Sequence, residues 1–173
     1  TAIYLLVAAI AAPPLVKLGI NPVAAHMYVF YFGIVSLITP PVAVAAFVAA
    51  NLAGAKPMET AIASVRIGWT ALVVPVMFVM SPDLLLQGTA FNAFLAVITA
   101  VAGVWFATGA IIGYMFGPMG PAIRTAYGTV GIALLIPAQS FEGAGWVEAA
   151  GVVGAVALVG KAFLDRRLAK ARR

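Results

Sequence analysis

The sequence contains no cysteine and very little charge. Only 9% of its 173 residues are charged, and 64% are hydrophobic, whereas a soluble domain is about 25% charged and about 45–50% apolar. The absence of cysteine excludes a disulfide framework, a thiolate metal site and a cysteine nucleophile. The scarcity of charge excludes a water-soluble globular domain, which could not cover its own surface, and the high apolar content excludes a disordered chain. The composition therefore predicts an integral membrane protein.

Catalytic motifs and a nucleic-acid-binding surface are also missing. The net charge is +5, but six of the ten basic residues lie between Lys161 and Arg173, and they form a tail rather than a groove. There is no Gly-x-Ser-x-Gly, no His-Glu-x-x-His, no phosphate-binding loop and no dinucleotide-binding glycine pattern. The single histidine is too few for a zinc site, which needs about three or four ligands. We therefore expect no enzyme, no cofactor and no nucleic-acid partner.

Apolar segments and helix breakers divide the chain into one short piece and five longer segments. A transmembrane helix needs about 20 apolar residues. The short piece, residues 1–16, ends around Pro13-Pro14 and is predicted to be one arm of a re-entrant hairpin. The longer segments are residues 24–52, 60–80, 91–116, 123–138 and 146–163, with turn residues between them. The pattern predicts an all-α polytopic membrane protein with a hairpin arm, one discontinuous helix and about four further spans.

Basic residues and small residues add orientation and packing to this prediction. If the tail ending at Arg173 is cytoplasmic, nine basic residues lie inside and only Lys17 lies outside, as the positive-inside rule requires. We therefore predict a cytoplasmic C-terminus, with the basic tail in contact with anionic lipid. Gly109 and Gly113 have the small-x-x-x-small spacing that favours close helix packing.

The second segment is interrupted by two consecutive prolines, Pro40-Pro41. Each proline removes a backbone donor and keeps the residue before it out of the α region. We therefore predict a helix break between Ser36 and Val42, carbonyls without helical partners from Val35 to Thr39, and a second half-helix starting at Pro40-Pro41. Such a discontinuous helix can offer carbonyls to Na⁺ and amides to an anion. The alternative is a kink inside a packed bundle, which we favour only for the isolated Pro75.

The same stretch resembles the large permease subunit of tripartite ATP-independent periplasmic (TRAP) transporters. The resemblance is carried by Ile38-Thr39-Pro40-Pro41-Val42-Ala43 and by the preceding Ala25-His26-Met27-Tyr28-Val29-Phe30-Tyr31-Phe32-Gly33. The flanking Leu18-Gly19-Ile20-Asn21-Pro22 agrees with it, and the resemblance is dense over residues 1–86. The histidine-containing variant and the extra C-terminal spans resemble the fused permeases of the TAXI type.

This resemblance implies an ion-transporter fold of inverted repeats, each with a re-entrant hairpin and a broken helix. Residues 1–88 are then the C-terminal part of the transporter core, and residues 89–173 are additional transmembrane helices with a basic tail. The resemblance also implies Na⁺-driven uptake across a bacterial or archaeal inner membrane. The implied partners are a periplasmic binding protein of the TAXI type and the first inverted repeat of the permease.

Candidate ligands follow from the break and from the resemblance. For a Na⁺ site, the break offers carbonyls and hydroxyls from Gly33, Ser36, Thr39 and Pro40. The resemblance adds Thr1, which would lie just after the tip of the hairpin. A small organic anion, such as a carboxylate, is assigned to Thr39, Pro41, Val42 and His26. For His26, a hydrogen-bonded packing role is the favoured alternative.

We therefore predict the membrane permease component of a Na⁺-coupled secondary transporter. One alternative is a structural or assembly subunit, in which Thr39-Pro40-Pro41 is only a kink, and another is a piece of an ion channel. Because the sequence begins at Thr1 inside an apolar stretch, we expect the chain to be part of a longer protein. The resemblance implies that other ligands come from the first repeat, so we expect the chain to transport nothing alone.

Overall fold

The computed structural model describes residues 2–115, 117–140 and 142–171, which form eight α-helices and one short 3₁₀ helix. Those ranges contain no β-strand, so the all-α prediction is confirmed for them. The chain separates into two compact units, Thr1–Gln87 and Gly88–Arg173, and each is described by itself. The assignment of residues 1–88 to a transporter core and of 89–173 to additional helices stays a prediction.

The first unit begins with a helical hairpin. Its helices are α1 (Ala2–Lys17), α2 (Pro22–Val35), α3 (Val44–Ala53), α4 (Pro57–Ile67) and α5 (Thr70–Met80), followed by a 3₁₀ helix at Pro82–Leu85. α1 continues through Pro13 and Pro14 to Lys17. Asn21 caps α2, because its Oδ1 accepts the Val23 amide proton at 2.9 Å.

α1 and α2 pack along their lengths through small residues. Ala8, Ala12 and Val29 form the buried core between them, and alanine allows two helices to approach closely. At the other end of the pair, a Cβ built on Gly33 would lie 3.3 Å from Cγ2 of Ile3. The start of α1 is therefore beside the end of α2, where the predicted break occurs.

The predicted break in the second segment is present, and its two halves have different partners. α2 packs against α5, with the rings of Tyr31 and Phe78 5.7 Å apart. α3 packs against α4 through a separate buried cluster that contains Ala46 and Ala61. The break therefore joins two distinct helical groups.

The third predicted segment, residues 60–80, is not one continuous helix. α4 ends at Ile67, α5 begins at Thr70, and the two helices are bent by 42°. The bend lies at Gly68-Trp69, whereas Pro75, the residue expected to cause a kink, is buried inside α5. The physical reason is that glycine has the lowest helix propensity after proline, and that Gly68 packs closely against Ile38 of the neighbouring break.

The second unit consists of α6 (Ala90–Ile112), α7 (Pro121–Leu135) and α8 (Ala144–Ala171). Its core contains Phe106, Tyr127 and Leu134. α6 and α7 approach closely where Gly131 meets Ala107, since a Cβ built on Gly131 would lie 2.6 Å from the Ala107 nitrogen.

The glycine pair expected to pack helices contacts side chains rather than the backbone of a neighbouring helix. A Cβ on Gly109 would meet the end of the Met115 side chain, and Gly113 ends α6 with a φ of 79°. Both glycines are closely packed, as predicted, but by side chains: Met115 lies against Gly109, and Arg124 of α7 lies against Gly113. The close approach falls on Gly131 and Ala107 because these residues face each other across the α6–α7 contact.

Helix length and composition identify two or three candidate membrane spans in the described part of the chain. α6 and residues Ala144–Ala162 of α8 are each long and apolar enough, and the bent pair α4–α5 would be a third. α7 has only 15 residues and ends at Leu135, short of the predicted end at residue 138. These helices are consistent with a multi-pass membrane protein, while the larger number of spans, the re-entrant hairpin and the inverted repeat stay predictions.

The Arg124 side chain caps the C-terminal end of α6. Its Nε donates to the Ala110 carbonyl, and its Nη2 donates to the Ile111 carbonyl at 2.6 Å. Both carbonyls belong to the last turn of α6, where carbonyls have no helical partner and a cation is favourable.

We expect Arg124→Gln to lower the stability of the second unit by about 1–2 kcal/mol, because it removes a charged donor from these carbonyls. The matched control is Lys56→Gln, which removes an exposed ion pair to Glu59 of about 0–1 kcal/mol. The measurement is the apparent melting temperature in detergent. Equal melting temperatures of the two variants would contradict the capping role.

Candidate functional site

The break between α2 and α3, residues 36–43, carries two oriented hydroxyl groups. Ser36 Oγ donates to the Gly33 carbonyl at 2.7 Å, and Thr39 Oγ1 donates to the Val35 carbonyl at 2.8 Å. Both side chains are half-buried. A hydroxyl has one proton and two lone pairs. Because both protons point to backbone carbonyls, lone pairs of both oxygens are available to a cation.

Other parts of the chain supply hydrogen-bond partners to carbonyls of the break. The Ala43 amide donates to the Thr39 carbonyl at 3.0 Å, and the Ala45 amide donates to the Leu37 carbonyl at 3.0 Å. The Val35 carbonyl accepts the Thr39 hydroxyl. These three carbonyls thus have partners in the loop and at the start of α3 rather than within α2, because a chain that leaves a helix must still pair its own polar groups. A carbonyl has two lone pairs, so Leu37 and Thr39 can still accept a second ligand.

The second half-helix begins later than predicted. α3 starts at Val44 rather than at Pro40-Pro41, and the peptide bond between the two prolines is cis. Ala43 precedes α3 in the left-handed conformation, with φ 32° and ψ 37°, and this residue turns the chain into α3. The amides of Ala43 and Ala45 donate to carbonyls of the break. Fewer amides at the start of α3 are therefore available to bind an anion than the sequence predicts.

The predicted cation ligands lie together at the C-terminal end of α2. Gly33 is buried, and Ser36, Thr39 and Pro40 are half-buried. The start of α1 reaches the same place, since Ile3 contacts Gly33. Thr1, the ligand implied by the resemblance, lies outside the described residues. The assignment of these residues to Na⁺ stays a prediction.

The predicted substrate contacts are divided between two places. Thr39, Pro41 and Val42 are in the break, and the Val42 side chain is 56% exposed. His26 is ten residues before Ser36 in the chain, a distance of about 15 Å along a helix. Its Nδ1 is 3.0 Å from the Tyr4 hydroxyl, and it lines a groove of about 600 Å³ along α1. The structure therefore does not bring His26 to the break.

Two residues of the site were missed in the sequence. Gly68, at the bend between α4 and α5, lies against the break, because a Cβ built on it would be 3.2 Å from Cδ1 of Ile38. Ala43 adopts a left-handed backbone conformation that alanine rarely has. A glycine inside an apolar run was an available signal for the bend, whereas nothing in the sequence pointed to Ala43.

The site is built from uncharged oxygen atoms. The described part of the chain holds no group of three or more His, Asp or Glu residues placed to bind a metal ion. The available donors are the hydroxyls of Ser36 and Thr39 and the carbonyls of the break. Hydroxyl and carbonyl oxygens of an unwound helix are the groups that bind coupling cations in secondary transporters.

Comparison with known proteins places this segment in a transporter family. The family model described as "Tripartite ATP-independent periplasmic transporter, DctM component" matches residues 1–93, more than half of the chain and all of the break. No curated protein and no solved structure gives a significant match. The matching family is one of transporters, which agrees with the prediction that the chain is not an enzyme. The chain belongs to the DctM component family of tripartite ATP-independent periplasmic transporters.

Proposed function

We propose that the chain is the part of a Na⁺-coupled permease that holds a coupling-cation site in the break between α2 and α3. The transporter takes up small organic anions, such as carboxylates, in a bacterial or archaeal cytoplasmic membrane, with the C-terminus of the chain in the cytoplasm. A TAXI-type periplasmic binding protein delivers the substrate, and the first inverted repeat completes the permease. The observation that carries the proposal is the pair of oriented hydroxyls, Ser36 and Thr39, inside the segment that matches the family.

The geometry supports a cation at the break for a chemical reason. Both hydroxyls donate their protons to carbonyls of α2, so their oxygens act only as acceptors toward any further ligand. An acceptor-only pair favours a cation over an anion or a neutral donor-acceptor ligand. The last carbonyls of α2 also carry the negative end of the helix dipole, which adds to the attraction.

The substrate binds next to the cation in this proposal, through the exposed side of the loop formed by Pro41 and Val42. A bound cation supplies the charge that an organic anion requires, because the loop itself is uncharged. This arrangement couples the two ligands, since each lowers the electrostatic cost of binding the other.

The test replaces Thr39 with valine, which removes the hydroxyl and keeps the branched shape. We expect Thr39→Val to raise the half-saturating Na⁺ concentration about tenfold, equivalent to about 1.4 kcal/mol. Thr39→Ser keeps the hydroxyl and should stay close to wild type. The measurement is thermal stabilisation of the assembled, purified permease as a function of Na⁺, with K⁺ added to hold the ionic strength constant.

The matched control is Thr99→Val. Thr99 Oγ1 also donates to carbonyls within its own helix, α6, but it lies outside the break. A raised half-saturating Na⁺ concentration in Thr39→Val together with a wild-type value in Thr99→Val supports the proposal. Equal Na⁺ dependence in Thr39→Val and wild type would show that Thr39 is a kink residue and that the assigned cation site is wrong.

A further inference from the structure

Two neighbouring chain segments change direction at the same level in the first unit. One is the break at residues 36–43, and the other is the bend of 42° at Gly68-Trp69 between α4 and α5. α2 packs with α5 and α3 packs with α4. Each of the two interruptions therefore connects the same pair of helical groups.

The two interruptions touch each other at one point. A Cβ built on Gly68 would lie 3.2 Å from Cδ1 of Ile38 and 3.1 Å from the Ser64 carbonyl oxygen. Both distances are shorter than ordinary van der Waals contacts of a Cβ atom. Gly68 thus leaves the space that the Ile38 side chain occupies.

Ile38 is positioned to transmit this contact to the two hydroxyls. It lies between Ser36 and Thr39 in the chain, and its amide donates to the Val35 carbonyl at 3.0 Å. The same carbonyl accepts the Thr39 hydroxyl. A displacement of Ile38 therefore acts on the atom that fixes the orientation of Thr39.

We propose that Gly68 is a positioning residue for the cation loop: by seating Ile38 against the end of α4, it holds Ser36 and Thr39 in the orientation that binds the coupling cation. This inference rests on the proposed function, since it assigns the residue that supports the same site. Gly68 itself supplies no side-chain ligand. Its effect on the cation passes through Ile38.

The test is a pair of substitutions that first fill and then restore the space. We expect Gly68→Val to raise the half-saturating Na⁺ concentration about fivefold to tenfold, a range typical of contacting residues. Ile38→Ala introduced into Gly68→Val empties the space again and should bring the value back to that of Ile38→Ala alone. The probe is Na⁺ itself, read by thermal stabilisation of the assembled permease against K⁺.

Ala63→Val is the matched control, because it adds side-chain volume on an exposed position of α4. It should leave the half-saturating Na⁺ concentration unchanged. If Gly68→Val does not yield folded permease, Gly68→Ala adds only the Cβ and is expected to give a smaller shift of the same sign. If Gly68 had only a structural role, its substitution would lower the melting temperature and leave the half-saturating Na⁺ concentration unchanged.

The outcomes separate this inference from the proposed function. The inference is supported if Gly68→Val raises the Na⁺ requirement above that of wild type and the double variant returns to the value of Ile38→Ala alone. The inference is overturned if the Gly68 variants keep the wild-type Na⁺ requirement, or if the double variant differs from Ile38→Ala alone. In either case, a shift in Thr39→Val still supports the cation site. If neither the Gly68 variants nor Thr39→Val shifts the Na⁺ requirement, both the cation site and the role of Gly68 are wrong.

Discussion

Gly131→Ala is expected to destabilise the second unit by about 3 kcal/mol, the upper part of the range for overpacking a close contact. The added Cβ would lie 2.6 Å from the nitrogen and 2.9 Å from the Cα of Ala107. These are backbone atoms of α6, and they cannot rotate away as the end of a side chain can. The substitution must therefore separate α6 from α7 and loosen the core around Phe106 and Tyr127.

The measurement is the apparent melting temperature in detergent, which we expect to fall by about 10 °C or more. Gly160→Ala is the first control, since a Cβ on Gly160 has nothing within 4 Å. It should stabilise α8 by up to about 1 kcal/mol, because alanine loses less conformational freedom in a helix than glycine does.

A second control tests whether the kind of atom decides the cost. A Cβ on Gly109 would lie 2.5 Å from Cε of Met115, which is even closer than the Gly131 contact. Methionine is flexible and can move its terminal methyl group, so Gly109→Ala should be tolerated. A melting temperature for Gly131→Ala equal to that of Gly109→Ala would contradict direct backbone contact between α6 and α7.

The sequence predicted those parts of the fold that depend on local chemistry. Pro40-Pro41 had to interrupt the second segment because two adjacent prolines remove backbone donors, and α2 does end at Val35. The turn residues that end at Asn21-Pro22 likewise predicted an interruption before the second segment, and α2 begins at Pro22, two residues before the predicted start. In both places the residue type alone determines the backbone hydrogen bonds, so no tertiary information was needed.

The features of the fold that the sequence did not predict depend on contacts between segments distant in the chain. Pro75 was the stronger local signal for a kink, yet the bend occurs at Gly68, where Ile38 from another segment packs closely. Isolated proline can be accommodated within a helix when its surroundings satisfy the backbone, and Pro75 is buried. The start of α3 was misplaced because Ala43 adopts a left-handed conformation that no alanine propensity predicts.

The candidate site was predictable in composition but not in geometry. Hydroxyls at Ser36 and Thr39 beside a broken helix were readable from the sequence. Their hydrogen bonds to α2 carbonyls depend on rotamers and loop path. The contact between Gly68 and Ile38 joins residues that are distant in the chain, and finding it therefore required the structure.

Ala43→Val is expected to destabilise the break by about 3 kcal/mol or more. The backbone at Ala43 has φ 32°, a region in which a β-branched residue is a strong outlier. The side chain is also fully buried, in a cluster with Ala46 and Ala61, where extra methyl groups cost about 1–3 kcal/mol. Backbone strain and overpacking act on the same residue, and both disrupt the junction between the loop and α3.

Ala43→Gly separates the two contributions. Glycine adopts the left-handed conformation without a steric penalty. The relief of strain should therefore outweigh the additional conformational entropy that glycine loses on folding, and we expect a net gain in stability of up to about 1 kcal/mol. The bond from the Ala43 amide to the Thr39 carbonyl, 3.0 Å long, is kept in this variant. We therefore expect the half-saturating Na⁺ concentration of Ala43→Gly to match wild type.

The absence of cysteine from the chain provides a direct measurement of both variants. A single cysteine at Ala50, which is fully buried on α3, reacts with maleimide only when α3 leaves its neighbours. Ala43→Val should accelerate this labelling about a hundredfold, as expected for a loss of about 3 kcal/mol when opening is a rapid pre-equilibrium. Ala43→Gly should label no faster than the parent. If valine and glycine gave the same slow rate, Ala43 would not have the left-handed conformation, and the loop that orients Thr39 would follow another path into α3.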